Sequence, residues 1–209
     1  LEYLKIPYTG SGVTASAIGM DKYRTKLIWK SLNIPVAESV YLEKDSYNKE
    51  DYKLTIALPV IVKPADDGSS LGFSRVTKIE DLYAAIDKAF AKTNKILIEK
   101  MIIGSEYTIT IFDGKVYPII KIEAPDGDYD FEHKYYSDET KYLAGYDLGE
   151  LHKSIEKWAL DGYNAIGASG VARSDFMISN DGQVYFLEIN TLPGMTGHSL
   201  VPQAAAAVG

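Results

Sequence analysis

Within the stretch RSDFMISNDGQVYFLEIN, residues 173–190, an aspartate and a glutamate stand where a hairpin would bring them face to face. Asp181-Gly182 is a hairpin turn signal flanked by β-branched and aromatic residues. A two-residue loop pairs Asn180 with Gln183; counting outward sets Asp175 opposite Glu188 and Arg173 opposite Asn190. These four residues then share one face, while Phe176, Ile178, Tyr185, Leu187 and Ile189 share the other, predicted to be buried. Directly opposed side chains have Cβ atoms about 4.5–5.5 Å apart, where like charges repel. Two things could compensate: the guanidinium of Arg173, or a divalent cation held by hard oxygen ligands. The first is the plainer reading, a solvated face with an ion pair. Asn190 offers a third oxygen on the same face, and the loop NTLPGMTGHS follows at once with many backbone donors, which tips the balance toward metal. A loop one residue longer would put the acids on opposite faces, and the metal reading would then need a β-bulge.

A second set of residues suits anionic ligands. In KPADDGSSLG, Gly68 and Gly72 allow backbone N–H groups to converge on phosphate oxygens, and Ser69 and Ser70 add hydroxyl donors. It is not a P-loop, because the lysine precedes the glycines and no helix opens after them. Lys63 ends the apolar run VIV, where a lysine is rarely buried without an anionic partner. A hairpin turn beside a snorkelling lysine fits the segment equally well. Glu99, Lys100 and Glu106 lie in ILIEKMIIGSEYT, either as polar edges of a hinge or as groups holding a nucleotide's base and ribose. His133, Lys134, Tyr135 and Tyr136 sit in EHKYYSDET, where a lysine could close over a transferring phosphoryl group and a lid exclude water. Lys22, on a charged helix, reads as solvated when taken alone. Together, lysines, a glycine-serine cradle, oxygen ligands and an arginine describe phosphoryl transfer by positioning and electrostatics.

The elements that must position these groups are legible in outline. Residues 21–31 read as an amphipathic helix with Asp21 as N-cap. LPVIVKP at 58–64 is a short buried strand, and FSRV is another extended piece. In residues 79–92 the set Leu82, Ala85, Ile86, Ala89 and Phe90 follows helical spacing. KILIEKMI and EYTITIF are strands, the latter turned by Asp113-Gly114 into KVYPIIKIE. Residues 125–146 are polar and tyrosine-rich, a long loop read as a lid. Leu148, Leu151, Ile155, Trp158, Ala159, Tyr163 and Ile166 trace a further helix face. Hairpins mixed with single helices predict two α+β lobes rather than a doubly wound parallel sheet, with a boundary near residue 100.

Composition bounds the rest. A chain of 209 residues, 46% hydrophobic and 24% charged, can build one large or two small cores. A net charge of −7 argues against nucleic-acid or membrane-surface partners, so an anionic ligand must be met by local lysines. Without cysteine, disulfides and thiolate metal sites are excluded.

VIVKPADDGSSLGFSRV, ILIEKMIIGSEYT, EHKYYSDET, GVARSDFMI and LEINTLPGMTGHSLVPQAA resemble, in that order, the D-alanine–D-alanine ligases of the ATP-grasp superfamily. The resemblance spans nearly the whole chain, and the EHKY and PGMTxHSLVP patterns are specific to these ligases. It implies an ATP-grasp fold, two α+β lobes gripping a nucleotide. It further implies that Lys22 and Lys63 contact ATP phosphates and Lys134 the γ-phosphate. Glu99 and the Lys100–Ile102 backbone would hold the adenine, and Glu106 the ribose. Asp175, Glu188 and Asn190 would bind two Mg²⁺ ions, with Mn²⁺ a possible substitute. Arg173 and the Gly194 N–H would form an oxyanion hole, and Ser69 and Tyr135 would orient substrate and lid. Ser199 and the Leu200 N–H would hold the carboxylate of the second D-alanine. A tyrosine at the Tyr135 position goes, in that family, with dipeptide rather than D-lactate ester synthesis.

The resemblance also divides the chain: residues 1–17 as a remnant of an N-terminal substrate lobe, 18–100 as the smaller ATP-grasp lobe, and 101–209 as the C-terminal lobe with the lid at about 125–146. Most of the N-terminal lobe and the closing C-terminal helix are expected to be absent from this sequence. The implied activity is ATP-dependent ligation of two D-alanines for peptidoglycan in a bacterial cytoplasm, by an enzyme expected to be a homodimer. The alternatives are another ATP-grasp carboxylate–amine ligase, or a nucleotide-binding fragment inactive on its own.

Overall fold

The computed structural model describes residues 1–66, 72–123 and 140–209. Two helices come first, α1 (Val13–Met20) and α2 (Lys22–Ser31). Asp21 between them caps α2 as its residue type predicts: its carboxylate accepts from the Arg24 N–H at 2.9 Å and pairs with the Arg24 guanidinium.

Four strands form the smaller sheet, β1 (Ser39–Glu43), β2 (Val60–Pro64), β3 (Ser74–Val76) and β4 (Lys95–Lys100), antiparallel in the order β1-β4-β2-β3. A 3₁₀ turn at Ile79–Asp81 leads into α3 (Leu82–Phe90), which packs on one face of that sheet. The helical face read from the sequence is the one buried: Leu82, Ala85, Ile86, Ala89 and Phe90 meet Val60, Val62, Val76, Ile96 and Ile98. Alternation then fixes the rest. Because Val60, Val62, Ile96 and Ile98 point at α3, Lys63 and Glu99 must point out of the opposite face.

The larger sheet contains β5 (Gly104–Phe112), β6 (Lys115–Val116), β7 (Ile120–Glu123), β8 (Lys141–Ala144), β9 (Val171–Ser179) and β10 (Val184–Asn190). Its order is β10-β9-β5-β7-β8, with β6 on β5, and every pairing is antiparallel. Asp113 and Gly114, at φ 46° and 79°, make the expected turn between β5 and β6. The single strand read from KVYPIIKIE is instead two, β6 and β7, separated at Tyr117–Ile119, where Pro118 has no N–H to give a ladder. The long loop foreseen at 125–146 contains β8, and residues 124–139 lie outside the described residues.

This sheet has two unlike faces. One carries Tyr107, Ile109, Ile111, Phe176, Phe186 and Ile189 against α4 (Leu151–Ala165) and against Ala15 and Trp29 of the first two helices. Trp29 meets Phe186 edge-on at 5.7 Å, and a Cβ on Gly162 of α4 would come within 2.6 Å of the Trp29 indole nitrogen. Burying one such large side chain contributes about 1.5–3 kcal/mol. The other face carries Glu106, Thr108, Thr110, Arg173 and Asp175, bordered by α5 (Leu200–Ala206), whose Leu200 and Ala204 pack on Ile120 and Ile122. By packing, then, Trp29 and Ile34 belong with the larger sheet, although by chain order they precede the smaller one. No helix among the described residues is long and apolar enough to cross a membrane.

Candidate functional site between the two sheets

The hairpin of β9 and β10 corrects the sequence reading and keeps its consequence. Its loop is three residues, Asn180–Asp181–Gly182, not two: Ser179 pairs with Gln183, and Gly182 sits at φ 82°, where a side chain would be strained. Val184, Tyr185 and Phe186 therefore pair with Ile178, Met177 and Phe176, one step from the expected register. Phe186 faces the core in place of Tyr185 and Leu187, which are only half-buried. At Leu187 a bulge inserts one residue, and beyond it Glu188 pairs with Asp175, Ile189 with Ser174 and Asn190 with Arg173. Were Leu187 paired regularly, alternation from Phe186 would drive Glu188 into the core. The bulge puts both acids on the polar face.

Asp175 is buried, and both oxygens of its carboxylate accept hydrogen bonds. The Arg173 guanidinium donates to both its oxygens, each at 2.8 Å, a two-pronged contact of fixed geometry. Thr108 on β5 donates to Oδ1 at 2.6 Å, and the Asn190 amide donates to Oδ2 at 3.3 Å. Glu188 is met by a different cation: the Lys22 ammonium lies 3.4 Å from its Oε2. The Lys22 backbone N–H meanwhile donates to the Ala65 carbonyl, just past β2. Lys22, the first residue of α2, thus ties the smaller lobe to the hairpin of the larger one.

Glu99, 3% exposed, is the centre of a second cluster. One carboxylate oxygen takes the Lys26 ammonium at 2.6 Å, and the other takes the Lys63 ammonium. In the β2–β4 register Lys63 pairs with Leu97 and Ile61 with Glu99, so Lys63 and Glu99 are diagonal neighbours on the face away from α3. Burial alone would push the Glu99 carboxyl up. The Lys26 and Lys63 ammonium groups outweigh burial and hold it down at about 2. Burial likewise pulls Lys63 down, but Glu99, assisted by the fields of Glu188 and Glu106, leaves it above the ordinary lysine value. At Lys26 burial wins, with Glu99 opposing it and the Lys63 charge reinforcing it, and the ammonium is held below its ordinary value.

The remaining predicted residues divide by place. Glu106 is half-buried on β5, on the same face as Thr108 and Asp175. The Lys100 and Met101 N–H groups are spent on the carbonyls of Glu38 and Pro59, and Ile102 follows them in the short link to β5. Ser199 precedes α5, its hydroxyl accepting from the Thr196 N–H at 3.0 Å, while Leu200 opens the helix with a buried side chain. A Cβ on Gly194 would meet the Ser199 hydroxyl at 2.8 Å, so chain and hydroxyl are close there. Ser69, Lys134 and Tyr135 lie outside the described residues.

Sequence reasoning missed Lys26, only 3% exposed and at the centre of the site. The signal was its spacing: Lys22, Lys26 and Trp29 stand at i, i+4 and i+7, on one helix face, and a lysine on the face of a buried tryptophan is not a solvated one.

Oxygen donors from Asp175, Glu188 and Asn190 on one face are a hard set that fits Mg²⁺, which is commonly held by one or two carboxylates with the remaining positions filled by substrate phosphates and water. Among the described residues no group of three or more His, Cys, Asp or Glu offers a cage built from protein alone. Three lysines gathered beside Asp175 and Glu188 suit a ligand that is itself polyanionic and metal-bound.

A family profile described as "D-ala D-ala ligase C-terminus" matches residues 28–209. A D-alanine–D-alanine ligase of Aromatoleum aromaticum is 44% identical over 213 residues, covering all of this chain and 68% of its own length. That of Alkalilimnicola ehrlichii is 46% identical over 210 residues, again across the whole chain and 67% of its own. Among solved structures, the Bacillus anthracis D-alanine–D-alanine ligase superposes with a TM-score of 0.87 at 35% identity, covering all of this chain and 68% of that one. The same enzyme complexed with ATP gives 0.86 at 34% identity, covering all of this chain and 67% of that one. The VanG D-Ala:D-Ser ligase of Enterococcus faecalis gives 0.86 at 30%, covering all of this chain and 62% of that one.

Proposed function

This chain belongs to the D-alanine–D-alanine ligase family, and from that premise we propose that its cleft binds ATP and joins two D-alanines through an acyl phosphate. Its fold is the α+β ATP-grasp fold of that family. The chain spans about two thirds of the length of the relatives it matches. The observation that carries the site assignment is convergence: Lys22, Lys63, Glu99 and Glu188, from four separate elements, meet between the two sheets.

Lys63 and Lys22 lie against the phosphates in this reading, with Lys134 on the γ-phosphoryl group. The adenine is held by Glu99 and the backbone of Lys100 to Ile102, and the ribose by Glu106. Asp175, Glu188 and Asn190 would hold two Mg²⁺ ions, which would supply positive charge to neutralise phosphate oxygens. The carboxylate of the first D-alanine attacks the γ-phosphorus, forming the acyl phosphate and releasing ADP. The amine of the second attacks the acyl carbon, and the tetrahedral intermediate expels phosphate as the peptide bond closes. Arg173 and the Gly194 N–H stabilise the oxyanion of that intermediate, as preorganised donors do at little reorganisation cost. The Asp175 fork fixes the guanidinium plane of Arg173 in advance. Ser69 and Tyr135 orient the substrate and lid, and Ser199 with the Leu200 N–H takes the carboxylate of the second D-alanine.

In chain order the smaller lobe is taken as residues 18–100, its α2 packed on the larger sheet, the larger as 101–209, and 1–17 as the remnant of a further substrate lobe. A homodimer in a bacterial cytoplasm, supplying the dipeptide to peptidoglycan, completes the reading. Calorimetric titration of ADP into the folded chain, with and without Mg²⁺, tests the site. Magnesium-dependent binding is expected; no binding in either condition removes the nucleotide assignment. D-alanine-dependent phosphate release from ATP, set against other amino acids, tests the acceptor.

A further inference from the structure

Lys26 is as deeply buried as Glu99 and touches both halves of the site. Its ammonium is 2.6 Å from Glu99 Oε1 on the smaller sheet and 3.4 Å from the Phe186 carbonyl, one residue before the bulge that aims Glu188. The Phe186 N–H is bound to the Pro35 carbonyl at 2.8 Å, so the chain entering the bulge is held on both sides. Lys63 holds the other Glu99 oxygen, and its side chain is more open to the cleft, 17% exposed against 3% for Lys26. One carboxylate thus has two cations of unequal freedom. A buried carboxylate cannot lose its only counter-ion cheaply, because its charge is then left uncompensated away from water. If Lys63 were that sole partner, its move to a phosphate would strand Glu99.

We infer that Lys26 is a positioning residue, the resident counter-ion of Glu99 that lets Lys63 leave that carboxylate for a nucleotide phosphate. The inference rests on the nucleotide reading of the cleft. The groups facing Lys26 are Glu99 and the Phe186 carbonyl in direct contact, with the charges of Lys63 and Glu188 nearby. Without Lys26, Lys63 is retained by Glu99, and phosphate binding loses what adenosine binding keeps.

The test compares ADP and adenosine binding to the whole chain by calorimetry in the presence of Mg²⁺. Lys26→Met is expected to weaken ADP about tenfold more than adenosine, and Lys26→Arg to restore most of the difference by keeping the charge. Lys26→Gln, which retains a donor to the Phe186 carbonyl, stands in if the methionine variant does not fold, and carries the same expectation. In the Lys26→Met background, Glu99→Gln is expected to return part of the lost ADP-over-adenosine preference, because Lys63 is no longer held. Equal losses for the two ligands, or no recovery in the double variant, overturn the inference and reduce Lys26 to packing. Two further outcomes separate the levels: if Lys63→Ala leaves ADP affinity unchanged, Lys63 meets no phosphate and the role of Lys26 is overturned, whereas no ADP binding to the unsubstituted chain removes the nucleotide reading itself.

Discussion

Two carboxylates face the same cleft, and they are held in opposite ways. Asp175 is clamped by a planar guanidinium, a threonine hydroxyl and an asparagine amide, all from strands of one sheet. Glu99 is met by two lysines that arrive from different elements, one from α2 and one from β2. A fork of fixed plane defines a direction, whereas an ammonium on a four-carbon stem is a point charge that can move. The difference separates two tasks. The hairpin fixes geometry, and the Glu99 cluster holds charge that a ligand can recruit.

The contrast breaks first at Glu99. Glu99→Leu leaves two ammonium groups without their carboxylate, and we predict a loss of about 3–5 kcal/mol in denaturant unfolding. A loss below about 1 kcal/mol would mean that the lysines relax into solvent and the cluster stores little.

Acid sharpens the same point. Because the Glu99 carboxyl is held at about 2 against an ordinary 4.5, the native state binds fewer protons than the unfolded chain between those values. Its stabilisation, on the order of 3 kcal/mol, is fully present above about pH 4.5 and lost as the pH falls through about 2. The difference in unfolding free energy between wild type and Glu99→Gln should therefore shrink across that window; a constant difference would assign the acid sensitivity elsewhere.

At the hairpin the expected loss is smaller and of another kind. Asp175→Asn removes the charge but keeps the shape, so it should cost about 1–3 kcal/mol in stability while weakening Mg²⁺-dependent ADP binding by more than about tenfold. Unfolding of the variant at room temperature would show the acid to be structural.

The two regions were not equally legible. The hairpin announced itself through Asp181-Gly182 and an acid on each strand, yet the apolar run VYFL gave no sign of where alternation slips. Asn-Asp-Gly suits a two-residue and a three-residue loop alike, and the register error at the turn was cancelled by a bulge that no local residue type demands. The smaller sheet was readable because α3 is cleanly amphipathic and its strands alternate. The Glu99 cluster was half-readable. A lysine closing a buried strand pointed to an anion, but its partner lies 36 residues on and the second lysine sits on a helix rich in charges. Contacts between elements distant in sequence have no period to betray them.

The finest cut divides the hairpin's geometry from its charge. Thr108→Val removes only the hydroxyl that donates to Asp175 Oδ1 at 2.6 Å, from a residue 1% exposed. The valine fills nearly the same space on β5, so packing against the neighbouring strands is preserved. The lost hydrogen bond to a charged acceptor should cost about 1.5–3 kcal/mol if the oxygen goes unsatisfied, and less if Arg173 and Asn190 close over it. The fork already satisfies Oδ1 once, through the Arg173 Nε, so the smaller figure is expected, about 1 kcal/mol. If the threonine matters for aim, the apparent Mg²⁺ affinity in the ADP complex should fall several-fold with little change in melting temperature. If both stay within error, Arg173 alone sets the direction of Asp175, and the rigidity of the hairpin site resides in the guanidinium rather than in the strand beside it.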